Sequence, residues 1–120
     1  MTKSSLSILI VDDEKHMVDT LRDTLKFKGH QAKVAYSALE ALDEVKKSSF
    51  DCVIADILMP KMDGLELCRA IKEIQPKLPV ILITGYEPKK LVKEGKEAGA
   101  KTVLIKPFDV RLLFKLLSNL

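Results

Sequence analysis

Four short apolar runs in this chain each lead into a polar residue with chemistry to offer, and this ordering constrains the fold more than any other feature. The runs are LSILIV (6–11), DCVIAD (51–56), PVILIT (79–84) and TVLIK (102–106). They deliver Asp12 and Asp13, then Asp56, then Thr84, then Lys106 followed by Pro107. Each run is too short and too rich in β-branched residues to be a helix. Each is followed by a segment of helical period, so the strands are expected to be parallel. Their carboxyl ends then share one edge of one sheet, the edge where open α/β sheets place their chemistry. Three carboxylates, a hydroxyl and an ammonium are expected to converge there.

The periodicity predicts strands near residues 6–11, 31–35, 51–56, 79–84 and 102–106, and helices near 14–28, 37–47, 63–74, 88–98 and 109–119. Met17, Leu21, Thr24 and Lys28 mark one row of the first helix, with Val18 and Leu25 beside it; Ala38, Ala41, Leu42 and Val45 mark the second. Leu67, Cys68, Ile71 and Ile74 do so in the third, and Leu112, Leu113, Leu116, Leu117 and Leu120 form a broad stripe in the last. Gly29 suits the position just past the first helix, and Ser37 suits the cap of the second. Asp63-Gly64 reads as a turn into the third helix. No repeat or linker interrupts the pattern, so residues 1–120 are expected to form one α/β domain. The expected architecture is a doubly wound parallel sheet in the order 2-1-3-4-5, with the chain's switch point between the first and third strands.

Asp12, Asp13 and Asp56 border that switch point, and their charges repel. At ~4 Å and an effective dielectric near 20, each close pair costs about 4 kcal/mol. One lysine cannot neutralise three acids, so either a carboxyl keeps its proton or a divalent cation sits among them. A hard ion such as Mg²⁺ suits carboxylates and water, and it commonly brings phosphate oxygens with it. Lys106 is a second electrophile for those oxygens, and Thr84 offers a hydroxyl donor. A carboxylate held beside Mg²⁺ and Lys can itself be the nucleophile, forming an aspartyl phosphate. The residues alone therefore point to metal-assisted phosphoryl transfer to an Asp.

The stretches ILIVDDE, VIADILMPKMDGLEL, VILITGY and GAKTVLIKPFD, in that order, resemble the receiver domains of two-component response regulators. The resemblance runs from the first strand to the last helix, and it implies a flavodoxin-like (βα)5 fold. It makes Asp56 the phosphoacceptor, with Asp13, Asp56 and the main-chain carbonyl of Leu58 on Mg²⁺ and Asp12 acting on the metal mainly through water. Lys106 would contact the phosphoryl oxygens. Thr84 would hydrogen-bond one of them after transfer and draw its loop inward. The Lys106–Pro107 bond would be cis. The phosphodonor would be a histidine kinase or a phosphotransfer protein, the domain catalysing its own phosphorylation and dephosphorylation. An output domain beyond Leu120 and a homodimer formed on phosphorylation fit the same resemblance.

Three positions depart from the family pattern. Val103, three residues before Lys106, stands where Tyr or Phe is common. Leu58 and Tyr86, each two residues beyond a site residue, flank the path of the hydrolytic water in receivers.

Competing readings fit less well. A haloacid-dehalogenase-like phosphatase uses two Asp separated by one residue after its first strand; here the two acids are adjacent and the candidate nucleophile is on the third. A flavodoxin-like cofactor binder needs a Ser/Thr/Gly-rich loop where this chain has Asp12-Asp13-Glu14. An interaction module with a vestigial site has no reason to keep all five site residues.

Net charge is +3, from 20 basic and 17 acidic residues, too mild for this domain to hold nucleic acid alone. Lys89, Lys90, Lys93 and Lys96 recur along the fourth helix, with Lys101 just after. They read as a solvated face, or more sharply as a docking surface for an acidic partner. No apolar run approaches the ~20 residues of a membrane span, and the N-terminus lacks the long apolar region and cleavage site of a secretory signal. A cytoplasmic location follows as the expectation. Cys52 and Cys68 form no CxxC and read as buried thiols. His16 and His30 have no ligand partners at useful spacing beyond the acids near His16, which reads as a surface residue.

Overall fold

The computed structural model describes residues 5–120. Five strands, β1 (Ser7–Val11), β2 (Gln31–Ala35), β3 (Cys52–Asp56), β4 (Val80–Thr84) and β5 (Thr102–Ile105), alternate with five helices. These are α1 (Lys15–Phe27), α2 (Ala38–Lys47), α3 (Gly64–Ile74), α4 (Pro88–Glu97) and α5 (Val110–Ser118). The strands pair in the order β2-β1-β3-β4-β5, all parallel, as the sequence predicts. Predicted and observed ends agree to within a residue.

Strand alternation sorts the core into two layers. Ile8, Ile10, Ile54, Ile81, Ile83 and Leu104 pack against Val18 and Leu25 of α1 and Leu113 and Leu117 of α5. Leu9, Val11, Val53, Ala55, Leu82 and Val103 face the other way, onto α2, α3 and α4. Interior strand β4 is buried at every position, whereas edge strand β2 exposes Gln31 and Lys33. Charge on an outer strand discourages pairing with another sheet.

The helix termini follow their sequence signals. The Ser37 side chain accepts the Glu40 N–H at the start of α2. Asp63 and Glu66 form a reciprocal capping box on α3. Gly29 follows α1 with φ +97°, a left-handed conformation that glycine adopts without steric cost. The apolar rows are narrower than the sequence stripes: Met17, Ile74 and Leu112 are 52%, 41% and 46% exposed. Helix α5 meets the sheet through Leu113 and Leu117, one turn apart, which leaves Leu112 outside that seam. His30 is half-buried, and its Nδ1 accepts the Leu6 N–H at 3.0 Å. Cys52 and Cys68 are buried and unpaired, and burial pushes the Cys52 thiol up to about 12.

Candidate functional site

Sheet register lines up the polar residues. Val11 pairs with Ala55, so Asp12 follows β1 beside Asp56 at the end of β3. Asp56 pairs with Ile83 and Thr84 with Ile105, which sets Thr84 and Lys106 one step further across the same edge. Lys106 Nζ donates to Asp56 Oδ2 at 3.2 Å. This pair spans β4, just past which stands Gly85. A Cβ at Gly85 would lie 3.4 Å from Lys106 Cβ, so the lysine stem runs directly over that glycine.

Asp12 is buried, and its Oδ1 accepts the Glu14 N–H at 3.0 Å. Its carboxyl is pushed above the ordinary value of 3.8, first by burial and then by the charges of Asp56 and Asp13, against the lowering effect of that N–H and of Lys106. Asp56 is pushed up as well, chiefly by burial, although Lys106 and the Leu58 N–H both favour its charged form. Asp13 is exposed beside them, near enough for its charge to act on both. Three acids therefore face one ammonium, and the negative surplus is not neutralised by the protein.

Among the described residues, no three His, Cys, Asp or Glu side chains are drawn together as a ready-made metal cage. The donor chemistry nonetheless fits a hard dication: carboxyl groups carrying excess negative charge, beside main-chain oxygens, with room for water. Asp12, Asp13 and Asp56 are the side chains suited to hold it.

Thr84 ends β4 and is fully buried, and its hydroxyl is bonded within its own loop. It donates to Tyr86 O at 2.9 Å and accepts the Tyr86 N–H at 3.1 Å. A Ser/Thr hydroxyl commonly closes such a local turn when no other partner competes. The next residue, Glu87, has φ +41°, a left-handed backbone costing roughly 1–2 kcal/mol for a residue with a Cβ. It precedes Pro88 and supplies no side-chain cap to α4. Leu58 and Tyr86, which were expected to flank the water path, are 49% and 57% exposed. The Lys106–Pro107 peptide is cis.

One structural residue went unrecognised in the sequence. A Cβ at Gly64 would lie 2.4 Å from the Asp56 carbonyl oxygen and 2.7 Å from Ile57 Cα. Gly64 N–H also donates to Ile57 O at 2.8 Å. The first turn of α3 thus rests on the backbone of the candidate nucleophile, and only glycine permits the contact. The signal was present in the Asp-Gly pair three residues before Glu66, but it reads equally well as an ordinary helix start.

Comparison with known proteins agrees with this geometry. The family model described as "Response regulator receiver domain" matches residues 8–118. The response regulator MprA of Mycobacterium bovis (strain BCG / Pasteur 1173P2) is 36% identical over 109 residues, covering 91% of this chain and 47% of MprA. The chain thus spans about half the length of the curated relatives it matches. Among solved structures, a CheY-like receiver domain protein from Methanospirillum hungatei JF-1 superposes with TM-score 0.88 at 30% identity, covering 93% of this chain and 90% of the other. The BeF3-activated DrrB receiver domain superposes with TM-score 0.84, also at 30% identity, covering 99% and 97%. By family match, by relatives and by fold, the chain belongs to the receiver domains of two-component response regulators.

Proposed function

We propose that Asp56 accepts a phosphoryl group from a partner histidine kinase or phosphotransfer protein, with Mg²⁺ bound by Asp12, Asp13, Asp56 and the Leu58 carbonyl. The observation that carries this reading is the Asp56–Lys106 contact of 3.2 Å inside a cluster of acids in charge excess. One Asp56 carboxylate oxygen attacks phosphorus as the P–N bond to the donor histidine breaks, and the leaving imidazole keeps the electron pair and takes up a proton. Lys106 then turns from the carboxylate to the phosphoryl oxygens, where a cation is worth most in a partly desolvated site. When bound, Mg²⁺ supplies Lewis-acid charge stabilisation to the same oxygens.

The Thr84 hydroxyl leaves Tyr86 and donates to a phosphoryl oxygen, so transfer is read out first as a change in the Gly85–Glu87 loop. The BeF3-activated state of the DrrB relative supports this reading, since beryllofluoride resembles a phosphoryl group in shape and charge. The switch acts on an output domain or on the pairing of two phosphorylated copies. The domain itself does not hold nucleic acid. It works in the cytoplasm; among the described residues, no helix is long and apolar enough to cross a membrane.

The test is intact mass after incubation with Mg²⁺ and a small acyl-phosphate donor. One added phosphoryl group is expected on the parent chain and none on Asp56→Asn. Equal modification of the variant would refute the assignment.

A further inference from the structure

A groove of about 590 Å³ runs between α1 and α5 and opens at one end onto Asp12, Asp56 and Lys106. Its walls include Met17 and Leu21 from α1, Ile83 from the sheet and Phe108 at the approach to α5. Thr20 and Thr24 also line it, but their hydroxyls donate back to the His16 and Thr20 carbonyls at 2.8 and 2.9 Å. Those donors are spent on the helix, and the wall they form is effectively apolar. The size falls within the ~300–1,000 Å³ of small-molecule sites, which pair an apolar body with a few polar groups.

The polar groups are all at the mouth, and their charge is lopsided. Lys106 is directed at Asp56. The buried carboxyl of Asp12 has one hydrogen bond among the described residues, from the Glu14 N–H to Oδ1. With Asp13 alongside, the mouth presents three acids against one base. A ligand entering the groove meets hydrocarbon along its body and the Asp12 carboxylate, which accepts the Glu14 N–H, at its head.

We propose that this groove binds a small amphipathic cation, with an aryl or alkyl body between α1 and α5 and a primary ammonium at Asp12. The ligand stands where Mg²⁺ is proposed to bind, so the two compete and occupancy holds the domain unphosphorylated. That competition rests on the function proposed above; binding of the cation in the absence of metal does not.

The test uses three probes with one body and different heads: 4-phenylbutylamine, 4-phenylbutanol and 4-phenylbutyrate. Each is titrated into the metal-free chain while amide and methyl spectra are recorded. The amine is expected to shift Met17, Leu21 and Phe108 and to bind at least about tenfold tighter than the carboxylate, the equivalent of ~1.4 kcal/mol for a reversed head charge. The alcohol is expected to fall between them. Asp12→Asn should cut most of the amine's advantage over the alcohol. Thr24→Phe, which fills the groove from α1, should weaken all three while leaving amide dispersion native. Equal affinities for all heads in the parent chain, tighter binding of the carboxylate, or shifts outside the groove would each overturn the proposal. Repeating the amine titration in millimolar Mg²⁺ should weaken it. Unchanged amine affinity in a chain that does bind Mg²⁺ would place the ammonium away from Asp12 and overturn the proposal as well. A chain that binds the amine in the groove but binds no Mg²⁺ would instead overturn the phosphotransfer reading alone.

Discussion

Gly95 of α4 lies directly against Val103 of β5: a Cβ built at Gly95 would come within 2.5 Å of Val103 Cγ2 and 3.3 Å of Leu82 Cδ1. The helix therefore sits on the sheet at backbone distance, over the residue that replaces the aromatic common in this family. Gly95→Ala gains about 1 kcal/mol of helix propensity but must separate α4 from a packed strand, at roughly 1–3 kcal/mol. The overpacking term is the larger, so the urea midpoint should fall. Val103→Ala in the Gly95→Ala background removes the clashing methyl and should recover part of the loss. A Gly95→Ala midpoint equal to or above that of the parent would mean that α4 gives way freely.

Burial and mutual repulsion raise the Asp12 and Asp56 carboxyls in the folded state. The folded chain holds these protons more tightly than the unfolded one. Their contribution is thus fully present below the ordinary 3.8 and is lost as pH rises through the raised folded values. At neutral pH without metal, Asp12→Asn should melt higher than the parent, and the difference should vanish in acid. Mg²⁺ should raise the parent's melting temperature, by the equivalent of ~2.7 kcal/mol at a hundredfold excess over the dissociation constant. Asp13→Ala should remove most of that rise. A parent melting curve indifferent to Mg²⁺ would count against a metal site here.

The phosphoryl group on Asp56 should be long-lived. Leu58 carries no polar group to orient an attacking water, and positioning is a large part of such a reaction's rate. Tyr86 is bulky beside the same approach. Because both side chains are half-exposed, they can be replaced with little cost to the core. Leu58→Asn together with Tyr86→Glu should speed loss of phosphate in the presence of Mg²⁺, followed by intact mass over time. Identical decay in parent and double variant would sink the idea.

Phosphorylation should move the Thr84 loop and α4 without a side-chain rotation on β5. Val103 is buried under Gly95 and has a stiff χ1. Amide spectra should shift from Thr84 to Glu87, at Lys106 and along residues 88–97, with only slight change at the Val103 methyls. A complete reversal from 1:99 to 99:1 needs ~5.5 kcal/mol of differential stabilisation. A rotamer change at Val103, or silence along α4 in fully phosphorylated protein, would refute this route.

The sheet order, the alternation of layers and the alignment of Asp12, Asp56, Thr84 and Lys106 were legible because periodicity and strand ends are local properties of the sequence. Ser37 and Asp63 were legible as helix starts for the same reason. What stayed hidden depends on distance between segments. The contact of Gly64 with the Asp56 carbonyl joins residues on two different elements, and the local Asp63-Gly64 pair reads equally well as an ordinary helix start. The Thr84 hydroxyl has two chemically reasonable partners, and only the fold shows that Tyr86 holds it. Leu112 looked like core because the stripe on α5 is wider than the seam that α5 buries.

The position of Gly64 has a mechanical consequence. Because α3 rests on the Asp56 carbonyl with no space even for a methyl group, the end of β3 is wedged against the first turn of α3. On the opposite side, among the described residues, the Thr84 hydroxyl is bonded within its own loop, and Glu87 stands in a left-handed conformation. Under the proposed function, charge added at Asp56 is expected to move the α4 side of the site rather than the α3 side, where Gly64 leaves no space for a shift.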